Sequence, residues 1–480
     1  MQTECTSAEL EFEGLGRRRV AGRFDGGRMT PDGGALLLRE ADRVFNVTGR
    51  LAACFVDHRD PGRVEHGLRT LVAQRVMSLA LGYEDLNDHD RLRRDAVLAL
   101  ASGCEDVTGE GRVRERDRDH PLAASSTLNR LELGTPERAP TDRCRRIVAD
   151  PGAIDRLPVD LFLEAHATPP REIILDIDAT DDPLHGRQEG RFFHGYYGRY
   201  CYLPLYITCG EHVLCRRLRP ADIDASHGSV DELMRIVPQI RAAWPDTRII
   251  LRGDSGFCRE AIMDWCGVEG VDHVLGLARN QRLCRRIGKA LRKSRRRSAA
   301  TGRPSRRFRE FRYRTRASWS RPRRVVAKAE WLPGRHGGNP RFVVTSLPKE
   351  RFGAQELYER LFCGRGEMEN RIKEQQLWLF ADRTSSATMR ANQLRLHISA
   401  FAGILVSILR RVGLRGTDLA GARIDTIRSR LLKLAGRVRV TVRRVWLSFP
   451  TGFPLQEEFG QALKNLRAAP APAAQVRVPP

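Results

Sequence analysis

The sequence lacks a disulfide framework and lacks a zinc-finger pattern. Its 11 cysteines are odd in number, run from Cys5 to Cys363, and include no C-x-x-C pair. That spacing excludes a small cross-linked scaffold and a structural zinc module. No apolar run approaches eighteen residues, so no membrane-crossing segment is expected. The opening MQTECTSAELEFEG is acidic and has no apolar centre, unlike a secretory signal. No internal repeat stands out. These absences point to a protein of the reducing cytoplasm.

Acids are also in deficit. Lys and Arg number 83 against 59 Asp and Glu, leaving +24 over 480 residues. General arginine enrichment explains part of this surplus. The rest favours a polyanionic partner, because each cation set against a phosphate releases condensed counterions. Hydrophobic residues make up 41%, which is the composition of a globular chain of several domains and not of a disordered one.

Residues 1–30 read as a polar, glycine-rich lead-in, and residues 31–168 as mostly helical. In RVEHGLRTLVAQRVMSLALG, Leu68, Leu71, Val72, Val76 and Leu79 recur at helical spacing. YEDLNDHDRLRRDAVLAL shows the same period. The pattern then changes. REIILDID is strand-like; YCYLPLYIT and HVLCRRLRP form a hairpin turning at Cys209-Gly210-Glu211; SVDELMRIVPQIRAAW is a helix. TRIILRGD, EAIMDWC and DHVLGLAR follow as strand, helix and strand. Three strands that then alternate with helices describe a mixed sheet covered by helices. The order is that of a ribonuclease-H-like core.

From Arg285 to Arg324, 18 Lys or Arg accompany a single acid, Glu310, with Phe308, Phe311, Tyr313 and Trp319 interleaved. A solvated charge run is the ordinary reading of such a stretch. The interleaved aromatics and flanking strands favour a nucleic-acid surface, in which Arg295, Arg296, Arg297, Arg306 and Arg307 are the candidate contacts. Strand-like RVVAKAEWL and PRFVVTSL follow, separated by GRHGGN. The expected fold is therefore mixed α/β. A helical region spans 1–168, and the core occupies 169–280 and 351–412. A β-rich insertion carrying a basic loop interrupts the core at 281–350, and a basic region with a disordered tail closes the chain at 413–480.

Phosphodiester cleavage calls for a strong nucleophile and for charge neutralisation, and two hard metal ions about 4 Å apart supply both. Mg²⁺ or Mn²⁺ takes oxygen ligands, so several carboxylates must aim at one point. Asp178 ends the strand IILDID, with Asp176 two residues earlier on the same strand face; either is a candidate, and either also suits a loop-capping role. Asp254 ends TRIILRGD in the same way. The GDSG at 253–256 also occurs around a protease nucleophile, but Phe257 and Cys258 follow where that family has other residues, and the helical content disfavours its double barrel. Glu369 lies mid-helix with Phe362, Arg365, Lys373 and Gln376 on one face, an arrangement that surface ion pairs also produce.

LDIDATDDPLHG, RGDSGF and RGEMENRIKE together resemble the three signatures of bacterial insertion-sequence DDE transposases, and best the IS-thirteen-eighty group with its β-rich insertion. GYEDLNDHDRLRRD and RVRVTVRRVWL are similar to this group too, so the likeness runs over roughly 20–450. The resemblance implies two Mg²⁺ or Mn²⁺ ions on Asp178, Asp254 and Glu369, with Arg365 and Lys373 on DNA phosphates. Phe362 and Gln376 stand where the group's signature has tyrosine and lysine. It further implies cut-and-paste transposition of double-stranded DNA at terminal inverted repeats by a homodimer near the nucleoid, with Trp319 or Trp331 receiving a flipped base. A ribonuclease-H-like nuclease without strand transfer and a non-catalytic DNA-binding derivative are the alternatives.

Overall fold

The computed structural model describes residues 9–134, 146–334 and 338–470. Part of the GRHGGN turn and most of the C-terminal tail lie outside the described residues. The chain forms two compact units. One comprises Pro151–Leu377 and Ala381–Ala400; the other comprises Met1–Asp150, Trp378–Phe380 and Phe401–Pro480.

The first unit is built on an eight-stranded mixed sheet. After helix α1 (Pro151–Glu164) come β1 (Glu172–Ala179), β2 (Leu205–Cys209) and β3 (His212–Arg217). Then follow α2 (Ser229–Ala243), β4 (Arg248–Gly253), α3 (Glu260–Val268) and β5 (Asp272–Leu277). This is the strand and helix order read from the sequence. Beyond it stand α4 (Gly288–Thr301), β6 (Ser305–Tyr313), β7 (Arg323–Trp331), β8 (Arg341–Thr345) and, later, α5 (Gly366–Lys373). The spatial order is β3-β2-β1-β4-β5-β8-β7-β6. The pairs β1–β4 and β4–β5 are parallel, and every other neighbouring pair is antiparallel.

Strand periodicity divides the apolar residues between the two faces. Ile249 and Leu251 of β4 face the main core, with Ile236 and Ile240 of α2 and Met263 of α3. Ile250 faces the other way, with Val274, Val326, Val343 and the helical residues Leu357, Tyr358 and Leu361. A sheet buried on both faces explains why REIILDID and TRIILRGD read as nearly continuous apolar runs.

Three features of this unit differ from the sequence reading. The basic run expected as a loop is helical over α4. Arg, Lys, Leu and Ala are strong helix formers, and small or apolar residues at Ala290, Ser294 and Ser298 give the helix a narrow buried face, fixed by Ser294 Oγ donating to the Ala329 carbonyl at 2.9 Å. In addition, β6, β7 and β8 continue the main sheet past β5. The helical stretch that carries Glu369, expected to be regular, is widened to i→i+5 turns at Leu357–Phe362 and Glu374–Trp378.

The second unit is largely helical, with short β-ribbons. Its helix Leu68–Leu81 is buried on every side from Leu71 onward, polar residues included. Gln74 there donates to the Ala123 carbonyl at 2.8 Å and meets His89 Nδ1 at 2.9 Å. The YEDLNDHDRLRRD stretch is not one helix. Asp85 caps a short turn, and Asp95 accepts from the Val97 and Leu98 amides, both at 2.8 Å, which starts a new helix. Near the C-terminus, β9 (Gly436–Thr441) and β10 (Arg444–Ser448) form a hairpin, joined on one edge by Arg28–Thr30. The segment Met389–Gly413, whose residues up to Ala400 belong to the first unit, is long and apolar enough to cross a membrane by length and composition, but most of it is buried inside the protein.

Candidate active site

The parallel register of β1 and β4 sets Asp176 beside Arg252 and Ile177 beside Gly253. The next residues along both strands, Asp178 and Asp254, therefore leave the same sheet edge side by side. Gly276 of β5 permits this: a Cβ there would stand 2.8 Å from the Ser255 nitrogen and 3.1 Å from the Asp254 carbonyl carbon. The chain turns immediately after β4 because Asp254 Oδ1 accepts from the Gly256 amide at 2.8 Å. That bond is the capping role expected of a strand-end aspartate, and it leaves the second carboxylate oxygen for other partners.

Asp176 and Asp178 have separate partners. Asp176 is buried and receives two bonds from Arg252, Nε at 2.5 Å and a terminal nitrogen at 2.7 Å. The other terminal nitrogen of Arg252 donates to the Leu361 carbonyl at 2.5 Å. A bidentate guanidinium thus ties the end of β1 to the helical turn that leads into α5. Gly364 admits it, since a Cβ at that position would sit 2.7 Å from the Arg252 guanidinium. A side-chain donor inserted at the Leu361 carbonyl accords with the widened turn there.

Arg365 is in the turn preceding α5, and it bridges two of the three acids. It donates to Asp178 Oδ2 at 3.2 Å and to Glu369 Oε1 at 3.0 Å. Asp178 is pushed up to about 6, mainly by burial. Arg365 opposes that shift, while the charges of Asp254 and Glu369 add to it. The four groups therefore share one electrostatic neighbourhood. Among the described residues no three His, Cys, Asp or Glu side chains converge into a ready-made metal cage. The donors nevertheless suit a hard divalent cation, being carboxylate oxygens that repel one another, two of them bridged by Arg365.

The raised value makes a stability prediction. Ionised Asp178 opposes folding at neutral pH, and that opposition fades as pH falls through about 6 toward the ordinary carboxylate range. Asp178→Asn, free of divalent metal, is expected to be more stable than wild type at pH 7.5 by on the order of 2 kcal/mol. The gap should narrow at pH 5. Urea unfolding at the two pH values checks it, and a less stable variant at pH 7.5 refutes it.

The remaining expected contacts are dispersed. Lys373 is exposed, and no ion pair joins it to Glu369 among the described residues. Phe362 packs against Tyr358 with ring centroids 5.6 Å apart, and Gln376 donates to the Asp181 carbonyl at 3.0 Å. Arg295, Arg296 and Arg297 are exposed on α4, with Arg295 over the partly buried Trp331 ring at 5.4 Å. Arg306 is paired with Glu330 at 2.6 Å and Glu359 at 3.3 Å, and Arg307 is half-buried. Trp319 corrects the sequence reading. It is 3% exposed in the main core and meets Tyr313 edge-on at 5.8 Å, so it presents no face to a base. The cause is the docking of β6 and β7 onto the sheet, which carries Trp319 inward with them.

One surface was missed. Strands Phe192–His194 and Arg199–Tyr202 form a hairpin whose Phe192, Phe193, Tyr196 and Tyr200 are exposed. The Arg191 guanidinium lies 3.8 Å over the Tyr200 ring. Tyr197 is pushed up to about 12 by burial and then by the charges of Asp181 and Asp178, which places this hairpin beside the carboxylates. Its signal was the aromatic and arginine-rich run RFFHGYYGRY.

Among solved structures, the chain resembles a piggyBac transposase synaptic complex with hairpin DNA, determined by cryo-EM. Identity is 13%, coverage is 83% of this chain and 79% of that one, and the TM-score is 0.39. A superposition that weak does not establish a shared fold. No curated protein matches the sequence. The family model for the transposase DDE domain, group 1, matches residues 12–471, and the chain belongs to that family of enzymes, which cut DNA and transfer its strands.

Proposed function

We propose that Asp178, Asp254 and Glu369 are the metal-holding acids of this transposase, and that it moves an insertion sequence of the IS-thirteen-eighty type by cut-and-paste at terminal inverted repeats. The observation that carries this reading is the shared sheet edge of Asp178 and Asp254, with Arg365 linking Asp178 to Glu369. Enzymes of this family generally use divalent ions. Two Mg²⁺ or Mn²⁺ ions bound there would activate a water or 3′-hydroxyl and stabilise the departing oxygen. Asp178 sits on β1, Asp254 directly follows the neighbouring β4, and Glu369 is on the helix after the turn held by Arg252, so the donor positions are set by rigid elements. Arg365, with Lys373 one turn beyond Glu369, would take a DNA phosphate once a cation replaces the guanidinium between the acids.

On this reading the first unit is a ribonuclease-H-like core whose basic helix and three added strands stand where the group's β-rich insertion does. The protein acts on double-stranded DNA as a homodimer, since two ends must be joined. Incubation with the element's own ends and Mg²⁺ tests the function. Strand transfer supports it, hydrolysis alone favours a nuclease, and binding alone favours a non-catalytic derivative.

The aromatic hairpin at 192–200 takes over the base-stacking role that Trp319 cannot fill. Phe193→Ala/Tyr196→Ala should weaken binding to an end with unpaired bases roughly tenfold and leave fully paired duplex binding unchanged. Fluorescence titration with the two DNAs measures the difference. Equal losses on both would remove the hairpin from this role.

A further inference from the structure

The hairpin β9–β10 near the C-terminus carries a dense row of arginines. Its register pairs Arg437 with Ser448, Arg439 with Trp446 and Thr441 with Arg444. Directly opposed residues of an antiparallel pair share a face, so these six form one side of the ribbon, and all are exposed. The other side carries Val438, Val440, Val445 and Leu447, of which Val438 is buried. The alternation RVRVTVRRVWL thus puts the charged residues on one face and the valines and Leu447 on the other.

The neighbouring strand Arg28–Thr30 covers the edge of β9 only from Gly436 to Val438. Past that point the ribbon continues as two strands to a tip at Val442, which is fully exposed. From Arg437 to Val442 it extends about 17 Å at ~3.4 Å per residue. No ion pair engages Arg437, Arg439, Arg443 or Arg444 among the described residues, although ion pairs are frequent elsewhere in this unit. No acid occurs between Asp425 and Glu457. Trp446 is held on the charged face by its indole N–H, which donates to Ser448 Oγ at 3.2 Å.

We propose that this ribbon enters the major groove of duplex DNA, with its arginine face toward the phosphates and base edges. A two-stranded ribbon fits a groove about 12 Å wide, and this one is long enough to cross it. A second copy of the chain is the poorer occupant, because two-fold pairing would set one arginine face against another. The proposal adds a binding site to the DNA-handling enzyme proposed above and rests on that reading only for the presence of DNA.

The test is fluorescence anisotropy of the full chain on a labelled duplex of arbitrary sequence, without divalent metal, from ~50 to ~200 mM salt. R437A/R439A/R444A is expected to bind roughly tenfold to a hundredfold more weakly. The slope of log K against log salt should fall by about 2–3. R437K/R439K/R444K, which keeps every charge, should hold the wild-type slope. The proposal is overturned by an unchanged slope in the alanine variant, or by an equal loss in the lysine variant. A change in sedimentation with the slope unaltered also overturns it, in favour of self-association. Because binding is read without cleavage, a protein that binds but never cuts would count against Asp178, Asp254 and Glu369 and leave this result standing.

Discussion

Asp254→Asn is expected to bind DNA as tightly as wild type and to cleave it on the order of 10³-fold more slowly, a barrier increase of about 4 kcal/mol. Asparagine keeps the carbonyl oxygen that accepts from the Gly256 amide at 2.8 Å, so the turn after β4 survives. What it removes is one negative charge from the group that includes Asp178 and Glu369. If Asp254 were only a turn cap, the isosteric change would cost a fraction of the ~0.5–2 kcal/mol a cap contributes, and cleavage would persist. Comparing cleavage rates at saturating protein with binding isotherms separates the two roles. A second readout is electrostatic: with the Asp254 charge gone, Asp178 should titrate below its wild-type position near 6, visible by carboxyl NMR in the metal-free protein.

Arg252→Met is expected to destabilise the first unit by about 3–5 kcal/mol, because it leaves the Asp176 carboxylate buried without its ion-pair partner, and the charge of Arg365, which makes no hydrogen bond to it, offsets only part of that loss. It also removes the bond that Arg252 donates to the Leu361 carbonyl. Converting both partners, Asp176→Leu with Arg252→Met, should recover much of the loss in stability, as buried pairs replaced by packed apolar groups often do. Activity should not return with it, since Arg252 also fixes the turn from which Arg365 and Glu369 project. Urea unfolding and cleavage assays on the single and double variants decide this. Recovery of both together would show that Arg252 serves stability alone.

Much of the first unit was legible in the sequence because its strands are short apolar runs bounded by turn residues. The hairpin at Gly210 and the succession from β1 to β5 follow from that pattern. Strand partners were not legible. Nothing local in DHVLGLAR shows that β8 pairs with β5, and this pairing draws β6 and β7 into the main sheet and Trp319 into its core. At the site, the strand pattern alone left Asp176 and Asp178 as alternatives, since both lie on one face of β1, and it was the resemblance that favoured Asp178. Arg252, 76 residues away, separates them by engaging Asp176. The widened turn at Leu357–Phe362, ahead of Arg365, and the closeness of Tyr197 to Asp178 depend on tertiary contacts in the same way.

The continuity of the sheet through β5, β8, β7 and β6 has a mechanical consequence. The arginine-rich helix is not a cassette that can be exchanged or clipped off. Removing its strands would strip β5 of a neighbour and leave an open hydrogen-bonding edge next to the strand that delivers Asp254. Any load placed on Arg295–Arg297 is therefore borne by the same rigid plate that holds the aspartates in register.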